Sequence, residues 1–450
     1  MAPALIVLAA GQGTRMNSDR PKVLHELAGV PLFAHALASG AALQPDRTVL
    51  VAGVGAEAVT KAAHALHPDI TIAIQAEQRG TAHAVAQAEP ALSGFDGDAI
   101  VLYGDTPFIR PETLSMMQAA RAQYDIVVLG FEAADPGRYG RLVMVDKSLD
   151  KIVEFKDAND QERAITRCNS GVICADTSLL FDLVKSVENR NASGEYYLTD
   201  IVALARARGL TATAVACDEA ETLGINTRAE LAAAEAVFQT RARTEALETG
   251  VTLTAPETVH FALDTVVGRD VVIEPNVIFG PGVTVETGAR IHAFCYLESC
   301  HIGAGALVGP FARLRPGAEL SDNVKVGNFV EIKNSTLGDG TKVNHLSYIG
   351  DASVGSATNI GAGTITCNYN GVEKHRTEIG ANVFIGSDTM LVAPVTVGDN
   401  AMTASGSVIT KDVPPEALAL SRAEERIKPG AATRLFEMYR RAKAKRQKAT

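Results

Sequence analysis

No stretch of this 450-residue chain comes near the about 20 uninterrupted apolar residues that a membrane-spanning helix needs, so no membrane partner is expected. The opening "MAPALIVLAAG" lacks a basic leader and its apolar run is short, so no secretory signal is expected either. Positive charge is not in excess. The 42 Lys and Arg stand against 52 Asp and Glu, a net −10, which argues against a chain built to bind nucleic acid. Cysteine is scarce. Cys168, Cys174, Cys217, Cys295, Cys300 and Cys367 show neither paired metal-ligand spacing nor a compact disulfide framework, so reduced thiols in a cytoplasmic location are expected. A Walker G-K-[ST] is missing, and the third glycine of a dinucleotide fingerprint would fall at Met16.

What is there is a soluble composition, 46% hydrophobic and 21% charged, in a chain long enough for at least two domains. Residues 1–227 alternate apolar strands ("ALIVLAAG", "RTVLVAG", "DITIAIQ", "DAIVLYGD", "DIVVLGF") with helical stretches, which predicts an α/β domain with a mostly parallel sheet. Such sheets bind ligands at strand C-terminal ends, where "GQGTRM" and "GDTP" fall. Residues 228–250 have helical periodicity and no proline, and read as a linker helix or as an internal helix of the first domain. Residues 251–450 form the second domain, and from about 251 an aliphatic residue, often followed by glycine, recurs every six positions. Examples are Ile302-Gly303, Val308-Gly309, Leu314, Leu320 and Val326-Gly327. A period of six predicts a parallel β-helix, three hexads to a coil. The steps Ile332 to Leu337 and Ile349 to Val354 are one residue short, and "TCNYNGVEKHRTE" is an insertion expected to leave the prism as a loop. After about 414 the pattern stops in a basic tail, read as a solvated, partly disordered segment or as an arm reaching phosphate.

The chemistry-bearing residues sit where these patterns are interrupted. Gly11 and Gly13 let backbone N–H groups approach phosphate, and Arg15 and Lys22 add positive charge. Asp105, at a strand end in the same sheet, is a candidate Mg²⁺ ligand. In the β-helix, Arg315 and Lys333 follow core residues and would make a phosphate clamp, or else ordinary solvated charge. His345 and Tyr348 share the phrase "HLSY".

The ordered motifs "LAAGQGTRM…PKVLHELAG", "QAEQRGTAHA", "YGDTP", "GRYGR", "IVEFKDA", "CNSG", "GEYYLTD" and "GINTR" resemble the sugar-nucleotide pyrophosphorylases. With hexapeptide repeats behind them, about residues 4–422 resemble the GlmU family of bifunctional enzymes. The resemblance implies a Rossmann-like nucleotidyltransferase domain followed by a left-handed β-helix. It implies acetylation of glucosamine-1-phosphate by acetyl-CoA, then uridylylation of N-acetylglucosamine-1-phosphate by UTP with Mg²⁺, giving UDP-N-acetylglucosamine for cell-envelope polymers. In this chain Leu8, Ala9, Ala10, Gly11, Gln75, Gly80 and Thr81 would hold the nucleotide. Arg15 and Lys22 would neutralise its phosphates as the catalytic cations. Tyr103, Gly104, Gly140, Glu154 and Asn169 would contact the sugar, and Asp105 and Asn226 the metal. In the β-helix His345 would be the catalytic base, oriented by Glu331. A free amine of this kind has a pKa near about 8, within reach of a neutral imidazole. Arg315, Lys333, Tyr348 and Asn359 would bind glucosamine-1-phosphate; Ala362, Asn368, Tyr369, Ser387, Ser405 and Arg422 would line the acetyl-CoA site. The family also implies a homotrimer with acetyltransferase sites between subunits. The alternatives are a nucleotidyltransferase whose β-helix is purely structural, and a non-enzymatic scaffold of the same two domains.

Overall fold

The computed structural model describes residues 2–146 and 148–447 and divides into two compact units, each built around its own core. The first comprises Met1–Thr249 with the short segments Pro256–Thr265 and Phe279–Gly282. Its sheet runs in the order Ala212–Cys217, Ile126–Glu132, Arg167–Asp176, Asp98–Tyr103, Ala4–Ala9, Arg47–Ala52, Thr71–Ile74. All pairings along this path are parallel except the two made by Arg167–Asp176. Strand Ala4–Ala9 is buried along its whole length, as a central strand covered on both faces must be. Its alternate residues supply two cores: Ala4, Ile6 and Leu8 on one face, Leu5, Val7 and Ala9 on the other. Strands Arg141–Val145 and Ser148–Val153 form a side hairpin on this sheet.

The helix Arg228–Glu248 starts with a capping box between Thr227 and Glu230 and clusters with the first unit. Leu231, Ala234 and Phe238 pack with Leu27, Leu32, Phe108 and Ile225.

The second unit is a left-handed parallel β-helix whose three walls are parallel sheets of ten, eight and eight strands. Ile291, Val308, Val326, Val343, Ile360 and Ile385 stack coil upon coil, each almost wholly buried. Burying one such side chain is worth about 1.5–3 kcal/mol, so the column holds the coils together without help from long-range loops. Later coils place Thr364, Thr366, Thr389 and Thr403 inside, and their hydroxyls bond coil carbonyls or one another. The insertion leaves the prism between Cys367 and Thr377, with Tyr369 and Val372 well exposed.

The basic tail is exposed to solvent, as expected. Within it Ala431–Gln447 forms a helix that the charge pattern did not announce. Ala, Leu, Arg, Lys and Gln are all strong helix formers, and local propensity alone favours this outcome. Residues 448–450 lie outside the described residues. Among the described residues no helix is long and apolar enough to cross a membrane.

Candidate functional site

In the first unit, the loop after strand Ala4–Ala9 and the turn after Asp98–Tyr103 meet at the C-terminal edge of the sheet, where Gly104 N–H donates to Leu8 C=O at 2.9 Å. Gly13 has φ +63°, and a Cβ there would stand 2.5 Å from Lys22 Cβ. Only glycine lets the loop lie on the lysine this closely. Lys22 is thereby held with its ammonium on Asp105 Oδ2 and on Asn226 Oδ1, the latter at 3.0 Å. Two oxygens from distant parts of the chain converge on one cation. Arg15 lies exposed in the turn Thr14–Met16.

Gln75 is 4% exposed, and its Nε2 contacts Gly80 C=O at 3.1 Å and His83 Nδ1 at 3.0 Å. With both amide hydrogens committed, Oε1 is the atom left to accept a hydrogen bond. His83 is not singled out from sequence; it is the third residue of the helix Thr81–Ala86, within the phrase "QAEQRGTAHA". Ala10 C=O accepts from Gln78. A Cβ on Gly80 would stand 2.5 Å from Tyr196 C=O, so this turn admits no side chain.

Tyr103, Gly140, Glu154 and Asn169 come together. Asn169 N–H donates to Gly140 C=O at 2.8 Å, and a Cβ on Gly140 would lie 3.5 Å from Glu154 Oε1. The Tyr103 ring lies against Gly171, where a Cβ would be 2.7 Å from it. Burial, then the Glu154 and Asp105 charges, push the Tyr103 phenol up, so it remains a neutral donor. Burial also raises the Glu154 carboxyl above its ordinary range, only partly opposed by a hydrogen bond from Thr199 Oγ1 at 3.2 Å.

In the second unit one corner of the prism carries a column of successive coils: Asn328, His345, Ala362, Ser387 and Ser405. Asn328 and His345 are register partners, and each later step is joined by a backbone bond at the next residue. Gly361 and Gly386, each just before a column residue, leave no room for a Cβ, which would stand 2.5 Å from the next coil's backbone. The Arg422 guanidinium closes the column by donating to Ser405 C=O at 3.1 Å. His345 Nδ1 lies 2.9 Å from Asn328 Oδ1. That contact needs the proton on Nδ1, which leaves the Nε2 lone pair free.

The wall beginning at this corner holds the cations. Arg315 pairs with Glu331 at 2.7 Å, and Lys333 Nζ lies 3.9 Å from Asp351. Tyr348 is the register partner of Glu331, and its ring runs across Gly350 to bring Oη 3.4 Å from Asn368 Nδ2. Glu331 is engaged by Arg315, and the residue found against His345 Nδ1 is Asn328. Glu331 stands on the wall while His345 stands at the corner beside its register partner Asn328. Asn359 is on a different wall from Arg315 and Lys333, the register partner of Lys342 in the ten-stranded sheet. Tyr369 is exposed, and its hydroxyl donates to Gly371 C=O at 2.7 Å.

Residues 5–172 match the model of the MobA-like NTP transferase domain, and residues 264–299 and 376–411 match that of the bacterial transferase hexapeptide (six repeats). Among curated proteins, the bifunctional protein GlmU of Paracoccus denitrificans is 67% identical over 440 residues, 98% of each chain. That of Cereibacter sphaeroides is 68% identical, covering 99% of this chain and 98% of its own. That of Roseobacter denitrificans is 66% identical and is matched over 100% of both chains.

Proposed function

The chain belongs to the GlmU family of bifunctional enzymes, and on that premise we propose that each of its two units carries one of two transfer reactions leading to UDP-N-acetylglucosamine. The chain is an enzyme with both acetyltransferase and uridylyltransferase activity, acting on sugar phosphates, a nucleotide and acetyl-CoA. The observation that carries the acetyl-transfer half is the His345–Asn328 pair at the head of a narrow, glycine-backed column, a pairing that a purely structural coil does not need.

In the second unit His345 Nε2 takes a proton from the glucosamine-1-phosphate ammonium. The freed amine attacks the acetyl-CoA thioester; as the adduct collapses the nitrogen gives up a second proton, which leaves on the coenzyme A thiol, while the imidazolium returns the first to solvent. Arg315 and Lys333 hold the phosphate, with Tyr348 and Asn359 on the sugar. The corner column with Asn368, Tyr369 and Arg422 takes the acetyl-CoA. In the first unit a phosphate oxygen of N-acetylglucosamine-1-phosphate attacks the α-phosphorus of UTP and pyrophosphate leaves in line. No nucleophilic side chain is required, and the work is positioning and charge neutralisation. Leu8 to Gly11, Gln75, Gly80 and Thr81 hold the nucleotide; Gln75 Oε1, the free acceptor, suits the uracil N3–H. Arg15 and Lys22 neutralise the phosphates. The Asp105 and Asn226 oxygens that now hold an ammonium fit a divalent cation, which takes one or two protein oxygens alongside phosphate. Mg²⁺ held by these two residues would supply further charge neutralisation to the phosphates.

Cytoplasm is the compartment in which UTP and acetyl-CoA are made, and we place the enzyme there. A homotrimer is supported by an exposed ladder beside the corner column: Phe294, Phe311, Phe329 and Leu346 are 52%, 46%, 55% and 63% exposed. The three rings stack at 4.9 and 5.2 Å. Phe329 and Leu346 directly follow Asn328 and His345, so covering the ladder with a second copy puts the base at a subunit boundary.

Coenzyme A thiol released from acetyl-CoA and glucosamine-1-phosphate, without UTP, is the direct test. Sugar-dependent release is expected. None from the folded protein would leave the β-helix as architecture behind a plain nucleotidyltransferase.

Glu154 gives a pH signature for the other half. Its carboxylate must be ionised to accept sugar hydroxyls, and its folded pKa is raised. Uridylyl transfer is therefore expected to rise with pH through a range above the ordinary carboxylate one, and to fall as pH drops through it. Glu154→Gln should retain a reduced rate and lose that acid limb in kcat/KM for the sugar phosphate. The substrate's own phosphate ionisation is common to both proteins. An unchanged acid limb in the variant would remove Glu154 from the role.

A further inference from the structure

The corner at the far end of the cation wall holds a carboxylate to which neither reaction yet gives a task. Asp351 is 8% exposed and adopts φ +50° at one of the shortened steps. Its Oδ1 accepts from Asn334 Nδ2 at 2.6 Å, its Oδ2 accepts from Asn368 Nδ2, and Lys333 Nζ lies 3.9 Å away. Burial pushes its carboxyl up, but the Asn334 and Asn368 hydrogen bonds with the Lys333 and Lys374 charges outweigh it and hold the group below its ordinary range. An ionised carboxylate can only accept, so both amides must turn their nitrogens toward it. Asn368 Nδ2 also points at Tyr348 Oη, 3.4 Å away. Both its N–H groups are then committed, and its carbonyl oxygen is the atom left for a ligand.

We infer that Asp351 is a positioning residue for acetyl transfer: it locks Asn368 with Oδ1 presented to an N–H donor of the acetyl-CoA and anchors the Lys333 ammonium for the sugar phosphate. This rests on the acetyltransferase reading above. It joins the acetyl-CoA-binding and phosphate-binding groups through one buried charge, so that disturbing the carboxylate misplaces both. A plain turn role is the competing account, because Ser299, Gly317 and Asn334 occupy the same corner in other coils, all at positive φ. Asparagine and serine serve that turn equally well, and neither carries the charge.

Asp351→Asn is the test. The variant is expected to melt within about 2 °C of the parent and to keep its uridylyl transfer. Its kcat/KM for acetyl transfer to glucosamine-1-phosphate should fall by about 10- to 100-fold. Because part of the effect runs through Asn368, the same change in an Asn368→Ala background should cost several-fold less than in the parent, the remainder running through Lys333 and appearing as a raised KM for the sugar phosphate. Should Asp351→Asn melt lower, Asp351→Ser, already a natural occupant of this corner at Ser299, takes its place in the cycle. Equal losses in both backgrounds, or parental acetyl transfer in the single variant, overturn the inference. A parent protein that releases no coenzyme A overturns the acetyltransferase reading itself, a result distinct from an active parent with an indifferent Asp351.

Discussion

His345→Ala is expected to lower the kcat of acetyl transfer by about 100- to 10,000-fold, the usual contribution of a positioned general base, and to leave uridylyl transfer unchanged. The attacking group enters as an ammonium, which has no lone pair for the thioester until a proton is removed. Nε2 is available for it because Nδ1 is engaged with Asn328. Without the ring, water must accept the proton, and the rate becomes limited by the small fraction of sugar that arrives as free amine. The variant should consequently recover part of its rate as pH rises toward the amine pKa of about 8. KM for either substrate should change little, since Arg315, Lys333 and the corner column remain. Indifference of uridylyl transfer follows from composition: Lys22, Asp105, Asn226 and Glu154 all belong to the first unit and His345 to the second. Stopped acetyl transfer together with stopped uridylyl transfer, in a protein that still melts normally, would contradict the assignment of one reaction to each unit.

How far such residues can be read from sequence depends on what the reading must resolve. The six-residue period states the β-helix outright, because an aliphatic side chain is needed at every inward position and the turn beside it favours glycine. Strand–helix alternation places Asp105 and the Gly11–Gly13 loop at one sheet edge for the same kind of reason. Pairing between coils is harder. One coil takes 17 or 18 residues, as in Asn328 to His345 and Arg313 to Glu331, so a partner is chosen by register and not by proximity in the chain. Glu331 looked close to His345, yet that register sends it to Arg315 and Tyr348. Asn328 escaped notice because an asparagine beside a corner glycine looks like any turn residue. Asp351 escaped for the same reason, and its charge matters only once Asn334, Asn368 and Lys333 are brought around it. His83 acts only through the Gln75 amide. The tail is read by its charge alone: it is solvated, and its residue types individually favour the helix that forms.

Asp105→Asn is expected to cost uridylyl transfer about 100- to 1,000-fold, comparable with removing one preorganised charge-stabilising group from a phosphoryl or acyl transfer site. The substitution keeps the side chain's volume and its place after strand Asp98–Tyr103, and removes only the negative charge. That charge has two dependants. Lys22 Nζ is held between Asp105 and Asn226, with the Lys22 and Asp105 side chains only 11% and 21% exposed. With the carboxylate gone, the ammonium loses its strongest partner and its fixed position near the Gly13 loop. The same carboxylate is the one anionic oxygen donor of the proposed divalent-cation site, and Asn226 alone offers a single neutral oxygen. Raising Mg²⁺ should therefore recover only part of the lost rate, and the half-saturating Mg²⁺ concentration should rise. A readout independent of turnover is the melting temperature: Mg²⁺ with UTP should stabilise the parent and stabilise Asp105→Asn distinctly less. Acetyl transfer, carried by the other unit, should be untouched, which makes it the internal control for protein quality. An Asp105→Asn enzyme that keeps its uridylyl transfer and its Mg²⁺ dependence would mean that the Lys22–Asp105–Asn226 cluster is a structural tie, with the phosphates bound through the glycine loop and Arg15 alone.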